Sequence, residues 1–171
     1  MARNLGSLPQ RNNEGGPTYR PPLEIKSLPF DNDDKFVAQY WGSRGDEEDI
    51  LELNGNPGSF CAMDMVDKEL WINSERVGNY LGYRMAGGII QVGHDCSIGN
   101  FTGAFMKGGV IRIYGDVGDF LGYNMMGGYI EVIGSVGHNA GYGATGGKIR
   151  VIGTCARGAN MDVVEIIPPR E

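Results

Sequence analysis

The sequence predicts an all-β protein folded as a parallel β-helix, a solenoid that lays down one strand per coil. Three observations carry this expectation. Four segments share the pattern Gly-x-x-x-Gly-x-x-x-x-Gly-Gly: Gly78/Gly82/Gly87/Gly88, Gly99/Gly103/Gly108/Gly109, Gly118/Gly122/Gly127/Gly128 and Gly137/Gly141/Gly146/Gly147. Their first glycines lie 21, 19 and 19 residues apart, and a fixed short period with one strand in each copy marks units that stack on one another. Each Gly-Gly pair is followed by an alternating stretch: Ile89-Ile90-Gln91-Val92, Val110-Ile111-Arg112-Ile113, Tyr129-Ile130-Glu131-Val132 and Lys148-Ile149-Arg150-Val151. Finally, 29 of the 171 residues are glycine, more than twice the usual ~7%, without a period of three and concentrated at the repeat corners.

Residues 1–24, with Pro17, Pro21 and Pro22 and few core-forming side chains, read as an extended arm, because proline restricts itself and its predecessor to extended or turn geometry. Residues 25–68 read as a cap; within them Phe36-Val37-Ala38-Gln39-Tyr40-Trp41 suits either a strand or a short helix, and 46–52 is acidic. The β-helix domain is expected over 69–171, with full coils over 77–154. Glu69-Leu70-Trp71-Ile72-Asn73 forms a partial coil ahead of them.

Side chains alternate across a strand. Ile90, Ile111, Ile130 and Ile149, with Val92, Ile113, Val132 and Val151, therefore face inward, and Gln91, Arg112, Glu131 and Arg150 face out. Coils about 4.8 Å apart would set Arg112, Glu131 and Arg150 in a ladder of alternating sign, and a register slip of one residue would bury it. At the corners, Met85, Met106, Met125 and Ala144 fill the interior, as do Ile98, Val117, Val136 and Cys155. Asn79, Asn100, Asp119 and His138 sit at the turns, a role that suits Asn and Asp. Gly158 opens a broken fifth repeat, and Val163-Val164-Glu165-Ile166-Ile167 closes the sheet before Pro168-Pro169.

Composition excludes several classes of function. The formal charge of −6 comes without a Lys/Arg stripe, which argues against nucleic acid. No apolar run approaches the ~18 residues of a membrane span, and Met1-Ala2-Arg3-Asn4 lacks the apolar core of a signal peptide. Cys61, Cys96 and Cys155 are too few and too scattered for a disulfide framework. A reduced, cytoplasmic setting is expected.

Motifs for catalysis and metal binding are incomplete. Neither a phosphate-binding loop with its lysine nor a dinucleotide fingerprint opening a helix is present. Asp31-Asn32-Asp33-Asp34 resembles the start of an EF-hand loop, but Phe36 and Gly42 stand where that loop needs Gly and Glu. His94 and Cys96 occupy the two-residue insertion of the first full coil, which is expected to bulge outward, but two ligands do not make a zinc site. Asp116 and Asp119 flank one corner, with Asp95 one coil away, and read as solvated turn residues more readily than as an acid–base pair.

The repeats Val77-Gly-Asn-Tyr-Leu-Gly-Tyr-Arg-Met-Ala-Gly-Gly88, Ile98-Gly-Asn-Phe-Thr-Gly-Ala-Phe-Met-Lys-Gly-Gly109 and Val117-Gly-Asp-Phe-Leu-Gly-Tyr-Asn-Met-Met-Gly-Gly128 resemble the GXGXG repeat family. That family includes the β-helical subunit of formylmethanofuran dehydrogenase and the C-terminal domain of the glutamate synthase large subunit. The likeness covers roughly residues 69–160, and the Met-x-Gly-Gly corners and Gly-Asn/Asp-aromatic turns look closer to the formylmethanofuran dehydrogenase member and its relative in the bacterial formyltransferase/hydrolase complex. It implies a right-handed β-helix and a non-catalytic scaffold within a redox complex of one-carbon metabolism. The chain itself would bind no cofactor. Pterin-binding and amidohydrolase-like partner subunits would carry molybdenum or tungsten pterin, with iron–sulfur or flavin groups as further possibilities. The glutamate synthase likeness implies instead a subunit supporting an ammonia path. The chain is shorter than a typical formylmethanofuran dehydrogenase member, its N-terminal third aligns with nothing in the family, and its fourth coil reads Ala144-Thr145-Gly146-Gly147.

An outward apolar stripe is expected to meet the partner. It comprises Ile89, Val110 and Tyr129 at the strand starts and Tyr114, Ile133 and Ile152 near the strand ends. A self-contained β-helical enzyme and a protein that stacks end on end with itself are the competing expectations.

Overall fold

The computed structural model describes residues 50–168 and, upstream of these, residues 10–11, 17–18, 25–27 and Ala38. Every described element is a strand: β1 (Gln10–Arg11), β2 (Pro17–Thr18), β3 (Ile25–Ser27), β4 (Ile50–Asn54), β5 (Glu69–Asn73), β6 (Arg76–Val77), β7 (Ile89–Ile98), β8 (Val110–Val117), β9 (Tyr129–Val136), β10 (Lys148–Cys155) and β11 (Val164–Ile167). β1 and β2 form a small antiparallel pair. The others join one sheet in the order β3-β4-β5-β7-β8-β9-β10-β11, with β6 beside β7, and every pairing in it is parallel. The chain is a β-solenoid of about six turns. Among the described residues no helix is long and apolar enough to cross a membrane.

The register follows the alternation read from the sequence. Leu51, Leu70, Ile90, Ile111, Ile130, Ile149 and Val164 pair in one file. Leu53, Ile72, Val92, Ile113, Val132, Val151 and Ile166 form a second, two residues along. Both files point inward, and all but Ile166 are fully or almost fully buried. Met65, Met85, Met106 and Met125 close the lumen from the corner side, and Ala144 ends that file partly buried. The interior is therefore packed with side chains along its length, held coil to coil by main-chain hydrogen bonds such as Gly103 N–H to Leu81 O at 2.8 Å.

The solenoid begins upstream of the expected boundary at Glu69. Ile50–Asn54 lies within the stretch read as a cap, yet it pairs residue for residue with Glu69–Asn73. Its corner reads Gly58-x-x-x-Ala62-x-x-x-x-Asp67-Lys68, so only the first glycine of the signature survives. Ala62 adopts φ 57° where the next coil has Gly82 at φ 65°. Ala38 repeats the feature with φ 57° and packs on the core. Apart from Ala38, the segment Phe36–Trp41 lies outside the described residues, as does most of the 1–24 arm.

Four successive corners carry stacked rings, and Asn139 takes the same position in the next. Phe60, Tyr80, Phe101 and Phe120 lie nearly parallel, with centroids 4.7, 5.0 and 4.9 Å apart. All four adopt φ of 60–63°, a region that costs a non-glycine residue roughly 1–2 kcal/mol; ring contacts worth about 0.5–1.5 kcal/mol each offset it. Beside them runs an Asx ladder. Asn79 Oδ1 accepts from Asn100 N–H and Asn100 Oδ1 from Asp119 N–H, both at 2.8 Å, and Asp119 Oδ1 accepts from His138 N–H at 2.7 Å.

Candidate functional site

The sheet has one buried and one solvent face, and the candidate site lies on the latter. Three files run across it. The first is Ile89, Val110, Tyr129 and Lys148; the second is Gln91, Arg112, Glu131, Arg150 and Glu165; the third contains Tyr114, Ile133 and Ile152. The six residues of the expected stripe therefore sit in the two outer files, on either side of the charged one. Ile133 is 39% exposed, and the other five are half-buried. None faces the lumen.

The charged file differs from the continuous ladder expected. Glu131 Oε1 accepts from Arg150 Nη1 at 3.3 Å and from the Tyr129 hydroxyl at 3.3 Å. Arg112 is exposed and makes no ion pair among the described residues. Both contacts of the Glu131 carboxylate are made through Oε1, to Tyr129 and to Arg150 on the next coil. Lys148 and Glu165 form a further pair across β10 and β11 at 2.7 Å, and this hydrogen bond holds the Glu165 carboxyl below its ordinary value. Arg150 Nε is buried without a hydrogen-bond partner among the described residues.

His94 and Cys96 part company at the bulge. Val92 faces Ile113 and Cys96 faces Gly115, which leaves Gly93, His94 and Asp95 opposite Tyr114 alone. His94 and Asp95 stand in solvent, the His94 ring lies 4.7 Å from that of Tyr114, and Cys96 turns inward, 1% exposed, with Sγ 3.7 Å from Ser74 Oγ. Burial pushes the Cys96 thiol up and that of Cys61 up to about 12, the opposite of what a thiolate nucleophile needs. Asp119 carries the Asx ladder, and its hydrogen bond from the His138 amide holds its carboxyl below the ordinary value. His138 Nδ1 lies 3.3 Å from the same Asp119 oxygen. No three His, Cys, Asp or Glu side chains gather as a metal site among the described residues.

No family model, curated protein or solved structure matches the chain.

The Gly-Asn/Asp-aromatic turns were legible as motifs, but the aromatic corner they build was not. Tyr83, Phe105, Tyr123 and Tyr142 form a second run of rings beside the stacked file, with Tyr142 56% exposed. Its signal was an aromatic residue two positions after the first glycine in three successive repeats, Tyr80, Phe101 and Phe120. Chemically, the outer face offers apolar area flanking fixed charge, a combination suited to recognition.

Proposed function

We propose that this chain is a non-catalytic scaffold subunit that presents its outer sheet face to another subunit of an oxidoreductase complex. The observation that carries the reading is the pair of outer apolar files, in register on the solvent face of a sheet whose other face already forms the core. Apolar area of this kind flanking charge commonly marks an interface. The repeat likeness makes a formylmethanofuran dehydrogenase-like complex of one-carbon metabolism the first assignment. A role in an ammonia path, as in glutamate synthase, would place that path along the outside, because side chains fill the lumen.

The test is purification of the tagged chain from its native cells in low salt, with co-purifying subunits identified by mass spectrometry and metals assayed. Pterin-binding and amidohydrolase-like subunits with molybdenum or tungsten are the expected result. Glutaminase and flavin or iron–sulfur subunits would move the assignment to glutamate synthase, and a chain recovered alone would overturn the scaffold reading.

A further inference from the structure

The bulge in β7 is the one register shift between paired strands of the described sheet, and it changes the shape of the outer face. Asp95 closes it at φ 61° and lifts the His94–Asp95 ledge off the sheet. Beyond the ledge the floor is bare backbone. A Cβ on Gly115 would meet the Cys96 carbonyl oxygen at 2.1 Å and one on Gly134 would meet that of Gly115 at 2.3 Å, so no side chain can fill the space. The result is a groove of about 450 Å³ whose walls include His94, Asp95, Tyr114, Asp116 and Ile133. A second groove adjoins it across His94 and is bordered by Glu75.

The charges around these grooves have one sign. Glu75, Asp95 and Asp116 are exposed acids, and no Lys or Arg lines either groove. The side chains of Glu75 and Asp95 have no hydrogen bond or ion pair among the described residues. Asp116 uses Oδ1 to accept from Ser135 N–H at 2.7 Å, and its other oxygen has no partner there. Tyr114 and Ile133 give the same groove an apolar wall and continue the outer file described above.

We propose that this groove receives an extended basic segment of the partner subunit, with an aliphatic side chain against Tyr114 and Ile133 and a Lys or Arg facing Asp95 and Asp116. The proposal rests on the scaffold reading and adds the partner's chemistry to it. Charge complementarity selects a basic segment, and the groove's continuity with the outer apolar file selects one that also carries an aliphatic side chain. A space of about 450 Å³ takes one or two side chains of an extended segment. Because the acids are exposed, the attraction is screened by salt.

The experiment measures fluorescence anisotropy of a labelled Lys-Leu-Lys-Leu-Lys peptide on the full chain, at about 50 mM and about 300 mM salt. A Glu-Leu-Glu-Leu-Glu peptide serves as the control. The groove variant combines Glu75→Gln, Asp95→Asn and Asp116→Asn. Asn keeps the acceptor for Ser135 N–H and tolerates the positive φ at position 95, so the fold is expected to survive, as checked by its melting curve. A control variant, Asp67→Asn with Asp162→Asn and Glu165→Gln, removes the same charge outside both grooves. We expect the lysine peptide to bind more weakly in high salt, and the groove variant alone to weaken it by about 3- to 30-fold.

Equal binding of both peptides, or equal loss in the control variant, would overturn the proposal. Self-association abolished by the groove variant would assign the groove to a second copy, and would overturn it as well. If the groove variant retains the native partner while Tyr129→Asp releases it, the groove claim fails and the scaffold reading stands. If neither the wild-type chain nor any variant brings down a partner, the scaffold reading fails first.

Discussion

Gly127 and Gly93 differ in what stands in front of their Cα atoms. A Cβ on Gly127 would come within 2.4 Å of the Lys107 carbonyl oxygen in the coil before it, whereas one on Gly93 would meet only the Ile72 oxygen at 3.5 Å and the Asn73 side chain at 3.6 Å. Gly127→Ala should therefore cost about 1–3 kcal/mol through forced separation of the coils, and Gly93→Ala should stay within about 0.5 kcal/mol. Urea unfolding of the two variants distinguishes them, and equal losses would show that coil spacing does not set the glycine pattern. Asp119 gives a pH-dependent counterpart. Its folded carboxyl lies below the ordinary value of 3.8, chiefly through the hydrogen bond from the His138 amide. That stabilisation is present above the unfolded value and drains away as the pH falls through the folded one. Asp119→Asn should thus flatten the fall in urea midpoint below about pH 4, and an unchanged acid limb would count against the ladder's contribution. The sequence placed Asn79, Asn100, Asp119 and His138 at turns because they recur at one offset, but not the hydrogen bonds that join one coil to the next. It left the inward turn of Cys96 hidden, since two extra residues reset the alternation and spacing alone does not say where it resumes.

At the scale of an element, the aromatic file and the outer face make separate claims. Phe101 lies between Tyr80 and Phe120, with ring centroids 5.0 and 4.9 Å away. Phe101→Ala should destabilise the chain by about 1–3 kcal/mol, the worth of two ring contacts, read as a lowered urea midpoint without loss of strand content. Ile133 and Tyr129 point away from the lumen, so Ile133→Asp and Tyr129→Asp should leave the isolated chain folded while weakening assembly. Circular dichroism and size-exclusion chromatography report the two halves of that expectation, and unfolding of both variants alone would return these residues to the core. The strands after each Gly-Gly were readable because apolar alternation and glycine coincide there. Ile50–Asn54 was not, because Glu48 and Asp49 precede it where the repeats carry Gly-Gly, and only its pairing with Glu69–Asn73 reveals the coil. Arg112 was placed in a ladder by column order, but Glu131 meets Arg150 and Tyr129 instead, a choice that column order does not encode.

As a whole molecule, the chain divides its work between two faces. The lumen is filled from Leu51 to Val164 and holds the coils together, and repeat architectures of this kind gain stability from neighbouring units. The opposite face carries the in-register apolar files, the Glu131–Arg150 pair and the His94–Asp95 ledge. Period and alternation made the solenoid legible from sequence. The site was only half legible: its six apolar residues follow from alternation, while the groove depends on a bulge and on the bare backbone at Gly115 and Gly134. The central claim is that the outer face is covered by another protein, and native mass spectrometry of the tagged chain from its own cells tests it most directly. A mass well above that of one chain, with a different subunit present in fixed ratio and released by Ile133→Asp, is the predicted result. A wild-type chain at the mass of a single copy would contradict it.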